Sequence, residues 1–183
     1  KGVAEFGDAS IFSFHATKVF NSIEGGAVTF AEDWMDHRLN CLKNYGIVDQ
    51  DHVVWVGGNA KMNEFQAAMG LCNLHHLDQE IDRRRLVVER YLSGLAGVPG
   101  IKLPSFKEGL TPNYAYFPVL FEGFKADRDQ VYDCLAGHRI YPRKYFYPLI
   151  NDFQCYKGRF SSKDTPVAAY VADRVLTLPC YAD

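Results

Sequence analysis

A single lysine, Lys18, stands among hydroxyl and imidazole side chains in residues 10–30, whose sequence is SIFSFHATKVFNSIEGGAVTF. A primary amine attacks an aldehyde to form a Schiff base only after it loses its proton, and partial burial favours that neutral form. A nearby hydroxyl such as that of Ser13 can hold a phosphate group. These residue types predict Schiff-base chemistry at Lys18, although a lysine at the end of a strand is more often only a solvated charge.

Two apolar runs flank this lysine and predict the elements that position it. Residues 11–14 are short and rich in β-prone side chains, and residues 27–30 form a second apolar run. Gly25 and Gly26 between them are typical of a sharp chain reversal. The stretch is therefore expected to fold as strand, turn and strand, with Lys18 on the connection.

Residues 12–26, FSFHATKVFNSIEGG, closely resemble the lysine motif of the DegT/DnrJ/StrS-type sugar aminotransferases, which depend on pyridoxal phosphate. The resemblance implies that Lys18 forms the Schiff base with this cofactor and that Ser13 contacts the cofactor phosphate. It also implies an α/β fold of the fold-type I, aspartate aminotransferase-like class. This chain would supply the end of the large-domain sheet and the small C-terminal α/β domain.

A second stretch, residues 57–71 with the sequence GGNAKMNEFQAAMGL, resembles another signature of the same family. There the asparagine matching Asn59 reaches across a dimer to the cofactor phosphate of the partner subunit. The resemblance thus implies a homodimer with shared active sites. Taken without the resemblance, Asn59 is better interpreted as an ordinary loop residue before a helix.

A third stretch, residues 137–153, combines aromatic and basic side chains in the sequence GHRIYPRKYFYPLINDF. Cations and aromatic faces suit a nucleotide sugar, whose diphosphate attracts charge and whose rings stack, but they suit a packed loop equally well. The string RKYFYPL resembles the version found in the family's 4-aminotransferases, which act on dTDP-4-keto-6-deoxyglucose, whereas relatives that act at the 3-keto position carry a histidine-containing version. Arg143 and Tyr145 are therefore candidate substrate-binding residues.

The chain of 183 residues is long enough for one large or two small domains. We expect residues 1–95 to belong to the large domain, with a long connecting helix, and residues 96–183 to form the small domain. After the lysine hairpin, the pattern predicts a helix over 31–45 and a long helix from the Asn63–Gln66 capping box to residue 95. In the small domain it predicts a strand over 114–121 and a helix over 127–137 capped by Asp127. A helix begun by Thr165 and Pro166 and running to residue 172, and a strand over 175–178, are predicted to follow.

Composition argues against several classes of protein. The hydrophobic fraction is 48%, so we expect a packed core. The net charge is −2 and the one basic triplet, residues 83–85, lies in a helical stretch, so we expect no nucleic-acid partner. The five cysteines are scattered without a C-x-x-C motif, which favours reduced thiols and a cytoplasmic location. The adjacent His75 and His76 cannot both ligate a metal from one helix face, so no metal is expected. No apolar run approaches the roughly 20 residues that span a bilayer, so we expect neither a membrane span nor a secretory signal.

The sequence starts with Lys1 rather than methionine and soon enters a core-like strand, so we expect it to be a fragment. The resemblance supports this, since the lysine motif falls about midway along these aminotransferases. The upstream half would then hold the aspartate that pairs with the pyridine nitrogen and the residue that stacks on the ring. We therefore expect this chain alone to bind the cofactor poorly.

The predicted function is transfer of an amino group from glutamate to a nucleotide-linked keto-deoxysugar. Three alternatives remain open. One is a sugar dehydratase of the same family, against which Lys18 argues because those enzymes carry histidine at this position. The second is a non-catalytic, regulatory relative that keeps the cofactor pocket. The third is a cofactor-free nucleotide-binding module, which the absence of a Walker loop or a G-x-G-x-x-G motif disfavours.

Overall fold

The computed structural model describes residues 1–181, and the chain divides into two compact units, Lys1–Asp78 and Gln79–Asp183. The division lies earlier than the boundary expected after residue 95. The long helix Leu77–Leu95 groups almost wholly with the second unit, because its Val88 belongs to that unit's core. The last two residues of the expected small domain lie outside the described residues.

The first unit contains the predicted hairpin around the lysine. Strands β1 (Ala9–Ser13) and β2 (Gly26–Phe30) pair antiparallel, with Ser13 opposite Gly26 at one end and Ala9 opposite Phe30 at the other. A Cβ at Gly26 would lie 2.7 Å from the carbonyl oxygen of Phe12, closer than such atoms approach. The glycine therefore permits the close pairing of the two strands at the base of the lysine loop.

Two helices complete the first unit, together with a 3₁₀ turn at Val3–Glu5. Helix α1 spans Trp34–Leu42, which is shorter at both ends than the predicted 31–45. Helix α2 spans Glu64–Leu74 and begins with the predicted capping box, in which the Asn63 Oδ1 accepts from the Gln66 amide at 2.9 Å.

The prediction of one long helix from residue 63 to residue 95 is wrong, because the helix breaks at His75 and His76. Their backbone amides bond three residues back, to Cys72 at 3.3 Å and Asn73 at 3.1 Å. Such i→i−3 bonds tighten the last turn and end α2. Helix α3 then runs over Leu77–Leu95.

The second unit is built on an antiparallel three-stranded sheet in the order β3, β4, β5. Its elements are α3, β3 (Ile101–Lys102), β4 (Phe117–Phe121), α4 (Arg128–Gly137), α5 (Pro166–Ala172) and β5 (Val175–Leu178), with 3₁₀ turns at Ile150–Asp152, Gln154–Tyr156 and Ser162–Asp164. Strand β3 is short and was not predicted. Strand β4 begins three residues later than predicted because Ala115 donates to the Asn113 side chain at 3.1 Å and Tyr114 has a φ of 52°. A local turn thus occupies the start of the expected strand.

The core of this unit lies where β4 and β5 meet α3. Phe117, Val119 and Leu176 are fully buried, and the Tyr91 ring of α3 stacks on Phe117 with centroids 5.1 Å apart. Alternate residues of β4 face inward, as expected for a strand with one face on the core. The peptide bonds Tyr145–Phe146 and Tyr147–Pro148 are cis.

Two helix N-caps were predicted in the second unit, and the structure forms the cap of α4 but not that of α5. Asp127 caps α4 as predicted, accepting from the Gln130 amide at 2.8 Å. Thr165 precedes Pro166 at the start of α5, but its side chain makes no capping bond. The Thr165 Oγ1 instead accepts from the Asn151 amide at 3.3 Å. Within residues 1–181, no helix has the length and apolar character needed to cross a bilayer.

Candidate active site

Lys18 lies half-buried on the connection between β1 and β2. The Phe14 amide donates to the Gly25 carbonyl at 2.8 Å and the Ser22 amide donates to the Phe14 carbonyl at 2.9 Å, so backbone bonds close the base of this loop. The Lys18 amide donates to the His15 carbonyl at 2.9 Å in a tight turn. The loop therefore presents the lysine from a fixed backbone.

Ser13, the last residue of β1, lies beside the same turn. Its Oγ accepts a hydrogen bond from the His15 amide at 3.4 Å. The His15 ring is itself held, with Nδ1 2.9 Å from the Thr17 hydroxyl and Nε2 3.4 Å from a Glu24 carboxylate oxygen. The structure thus places Ser13 at the end of β1 and Lys18 on the connection that follows, whose turn is built around His15.

Two asparagines fix this loop: Asn21, which the sequence places beside Lys18 but whose role was not predicted, and Asn73, which was not singled out. The Asn21 side-chain amide donates to the Lys18 carbonyl at 3.3 Å, and the Asn73 side-chain amide of α2 donates to the Asn21 carbonyl at 2.9 Å. Asn73 interrupts an otherwise largely apolar helix, and that polar residue was the available signal. Helix α2 therefore acts as a support for the lysine loop.

Close packing brings α2 against the same loop. A Cβ at Gly70 of α2 would lie 3.4 Å from the Cβ of Ser22, which is buried and donates its hydroxyl to the Glu24 carbonyl at 2.9 Å. The rings of Phe14 and Phe20 meet edge to face with centroids 4.8 Å apart. The small glycine side of α2 thus lets the helix approach the loop closely.

Asn59 lies on a different loop of the first unit, with an exposed side chain. Its neighbours are held by backbone bonds to the end of α1: the Gly58 amide donates to Leu42 at 3.0 Å and the Ala60 amide donates to Lys43 at 2.9 Å. Asn59 itself forms an antiparallel bridge with Asn44. Its backbone is therefore fixed while its side chain remains open to an external group.

Arg143 and Tyr145 line one open cavity of about 620 Å³ in the second unit. The Arg143 backbone pairs with Thr177 of β5 through two hydrogen bonds of 2.9 and 2.7 Å, which anchors the start of this wall to the sheet. The Tyr145 ring stacks on Phe146, with centroids 4.7 Å apart and planes 13° apart. The cavity is lined by Tyr132, Pro142, Arg143, Lys144, Tyr145, Phe146, Tyr147, Pro148, Ile150 and Phe153.

Lys144, in the same wall, pairs with an acidic residue that sequence reasoning did not single out. Its Nζ lies 2.6 Å from Oδ1 of Asp129 in α4 and 4.7 Å from the centroid of the Tyr132 ring. The hydrogen bond from Lys144, and secondarily the charge of Arg128, lower the pKa of Asp129 from its ordinary value of 3.8. The Asp129 carboxylate is therefore charged near neutral pH.

The potential metal-ligating side chains of the described residues are dispersed. In residues 1–181, no three His, Cys, Asp or Glu side chains cluster in a way that could hold an ion. All five cysteines are free thiols, with Cys41 and Cys180 buried.

Comparison with known proteins agrees with the motifs. Residues 1–183 match the DegT/DnrJ/EryC1/StrS aminotransferase family. A dTDP-4-amino-4,6-dideoxy-D-glucose transaminase of Shigella dysenteriae is 37% identical over 182 residues, covering 99% of this chain and 50% of the relative. The Escherichia coli protein of the same name is 41% identical over 165 residues, covering 88% and 44%.

The solved structures include a putative sugar aminotransferase from Streptococcus pneumoniae in its PLP form. It is 26% identical and superposes with a TM-score of 0.87, covering 98% of this chain and 48% of that one. The predicted fold class is thereby confirmed. The chain spans about half the length of the curated relatives it matches. Because the family match extends over every residue, this chain belongs to the DegT/DnrJ/EryC1/StrS aminotransferase family.

Proposed function

We propose that the intact protein containing this chain is a pyridoxal phosphate-dependent aminotransferase that moves an amino group from glutamate to dTDP-4-keto-6-deoxyglucose. The observation that carries the proposal is the half-buried Lys18 on a loop closed by β1 and β2, with Ser13 at the strand end, in a chain of this family. The names of the Shigella and Escherichia relatives favour a nucleotide-linked sugar aminated at C4.

The residues present fit the cofactor. The Ser13 hydroxyl oxygen accepts a hydrogen bond from the His15 backbone amide. The hydroxyl proton of Ser13 therefore remains available to donate to a phosphate oxygen. Lys18 supplies the amine, and the hydrogen bonds of its backbone amide and carbonyl fix where its side chain starts. When bound, pyridoxal phosphate supplies an electron sink that stabilises negative charge on the substrate carbon.

With the cofactor bound, Lys18 would have a second role as a general base and then a general acid. Its Nζ would take a proton from the substrate carbon and later give that proton up. A rigid loop would serve this role, because proton transfer requires the amine to lie within hydrogen-bond reach of the reacting atoms. The bonds from Asn21 and Asn73 support that rigidity.

Arg143 and Tyr145 are proposed to bind the nucleotide sugar. Their shared cavity supports this, since a guanidinium can bind a diphosphate oxygen while an aromatic face stacks on a planar ring. The RKYFYPL string, without the histidine of 3-keto enzymes, favours the 4-keto substrate.

A homodimer with shared active sites follows from the proposed role of Asn59. Its exposed side chain on a fixed backbone is suited to reach a partner subunit's cofactor phosphate. Location in the cytoplasm stays a prediction.

Borohydride reduction of the full-length protein with pyridoxal phosphate tests the role of Lys18. Reduction should fix the cofactor on the peptide that contains Lys18, and the Lys18→Ala variant should carry no label. The exposed Lys107 provides a control, because Lys107→Ala should be labelled like the wild type. Labelling at another lysine would contradict the assignment.

A further inference from the structure

Asp129, the second residue of α4, holds two cations with one oxygen although it does not line the cavity. Its Oδ1 lies 2.6 Å from Lys144 Nζ and 2.6 Å from Arg128 Nε, the latter an ion pair by distance without hydrogen-bond geometry. Lys144 is part of the cavity wall, whereas the Arg128 side chain is only 4% exposed. One carboxylate therefore links the wall to a buried arginine.

Each of these cations lies over an aromatic ring that lines the cavity. Lys144 Nζ is 4.7 Å from the Tyr132 centroid, and the Arg128 guanidinium carbon is 4.6 Å from the Tyr147 centroid. A cation over a ring face is attracted by the ring quadrupole, most strongly where water is excluded. Asp129 thus fixes two cation–ring pairs on the cavity at once.

The burial of Arg128 makes the carboxylate necessary. Its Nη1 donates to the Ala172 carbonyl at 2.8 Å, and its charge is balanced at close range by Asp129. A buried charge that loses its partner is strongly destabilising, so the guanidinium would move toward water if Asp129 were neutral. That movement would withdraw support from the Tyr147 ring.

The adjacent cation, Arg143, is in a different situation. Among residues 1–181, its guanidinium has neither a hydrogen bond nor an ion pair, and its backbone is held by Thr177. Asp129 engages Lys144. The Arg143 guanidinium, on the same cavity wall, is available to an anionic ligand.

We propose that Asp129 is a positioning residue for the nucleotide diphosphate and does not itself touch that group. It orders the Tyr132 and Tyr147 rings of the cavity in which Arg143 would bind the phosphates. This inference rests on the proposed function, because it assigns the nucleotide of that same substrate to the cavity.

The test uses Asp129→Asn in the full-length protein, with Asp133→Asn as the matched control. Asp133 lies one turn further along α4 and is exposed, and its side chain makes no hydrogen bond or ion pair within the described residues. We expect Asp129→Asn to raise the dissociation constant for dTDP, and the KM for the sugar nucleotide, by about ten-fold. The rate of the glutamate half-reaction should remain within about two-fold of the wild type, and Asp129→Glu should recover part of the loss.

If Asp129→Asn loses equally in the rate of the glutamate half-reaction and in dTDP affinity, the role of Asp129 is purely structural and the proposal is overturned. A dTDP affinity of Asp129→Asn equal to that of Asp133→Asn would also overturn the proposal. If Asp129→Asn does not fold, Lys144→Gln keeps the Arg128–Asp129 pair and should weaken dTDP binding about three-fold, and an unchanged affinity would overturn the proposal. The dTDP titration is independent of transamination. If the wild type fails to carry out the glutamate half-reaction, the proposed function is contradicted. The dTDP affinities of Asp129→Asn and Asp133→Asn would still decide whether Asp129 positions the nucleotide site.

Discussion

The side-chain amide of Asn73 in α2 donates a hydrogen bond to the backbone oxygen of Asn21, with a nitrogen–oxygen distance of 2.9 Å. Asn21 follows Lys18 by three residues, and its own side-chain amide donates to the Lys18 carbonyl at 3.3 Å. Two amide hydrogen bonds in series thus connect a helix to the backbone of the candidate catalytic lysine. These two bonds fix the backbone from which the Lys18 side chain extends.

Replacing Asn73 with alanine should loosen the lysine loop. A half-buried hydrogen bond contributes about 0.5–1.5 kcal/mol net, so we expect a melting temperature a few degrees lower. The affinity for pyridoxal phosphate should fall about three- to ten-fold, measured by absorbance titration of the full-length protein. Asn40→Ala in α1 is the control, because it removes only an exposed hydrogen bond to Asp36. Equal cofactor affinity in the two variants would show that the link does not support the site.

The strand, turn and cap positions that depend on neighbouring residues could be predicted from the sequence. The apolar runs around Gly25 and Gly26 predict β1 and β2, and the boxes begun by Asn63 and Asp127 predict the starts of α2 and α4. Each of these signals acts over a few residues, where turn chemistry and capping decide the backbone.

What depends on distant parts of the chain could not be predicted. Asn73 meets Asn21 across 52 residues, and Lys144 meets Asp129 only after the chain has folded back along α4. The break at His75 was also missed, because histidine is compatible with a helix and the tightened last turn has no distinct sequence signal. Tertiary contacts thus determined the parts of the site that sequence reasoning missed, whereas the missed helix break is a local effect.

Gly26→Ala should destabilise the hairpin that carries Lys18. The added Cβ would lie 2.7 Å from the Phe12 carbonyl oxygen, which belongs to the paired strand and cannot move freely. We expect a loss of about 1–3 kcal/mol in the free energy of unfolding, measured by denaturant titration. Gly94→Ala in α3 has open space and should instead stabilise the protein by about 0.5–1 kcal/mol. A Gly26→Ala variant as stable as the wild type would contradict the close pairing.

Glu122 connects three elements of the second unit and should make its stability depend on pH. Its carboxylate accepts the Tyr170 hydroxyl of α5 and pairs with Lys102 of β3. The Lys102 hydrogen bond first, and the Tyr170 hydrogen bond second, lower the pKa of Glu122 from 4.5, so its contribution is present above pH 4.5 and lost as the pH falls through the lower folded value. Donation to Glu122 raises the pKa of Tyr170 from 10.0, so that contribution is lost when the pH rises above the folded value.

Glu122→Gln should therefore lower the melting temperature by a small amount near pH 7, since exposed ion pairs contribute little. The difference from the wild type should shrink as the pH is lowered below 4.5. Glu108→Gln is the matched control, because Glu108 is exposed and makes no hydrogen bond or ion pair within residues 1–181. If the difference in melting temperature between the wild type and Glu122→Gln grows as the pH falls below 4.5, the stabilising role of the ionised Glu122 is contradicted.

Arg143→Gln should specifically weaken binding of the nucleotide sugar. Hydrogen bonds to charged groups contribute about 1.5–3 kcal/mol, which corresponds to a KM for the sugar nucleotide raised about 10- to 150-fold. Steady-state kinetics at two salt concentrations would measure this, and the difference from the wild type should narrow at high salt. Arg139→Gln, which removes an exposed arginine at the end of α4, should leave the KM unchanged. Equal effects of the two variants would remove Arg143 from the proposed substrate site.

The central claim is that Lys18 holds pyridoxal phosphate in a working transaminase, and an absorbance spectrum of the full-length protein with this cofactor, before and after glutamate, tests it most directly. The account predicts a band from the lysine-bound cofactor that glutamate converts to the pyridoxamine form, and no such band in Lys18→Ala. A wild-type band that ignores glutamate, or no band at all, would contradict the account.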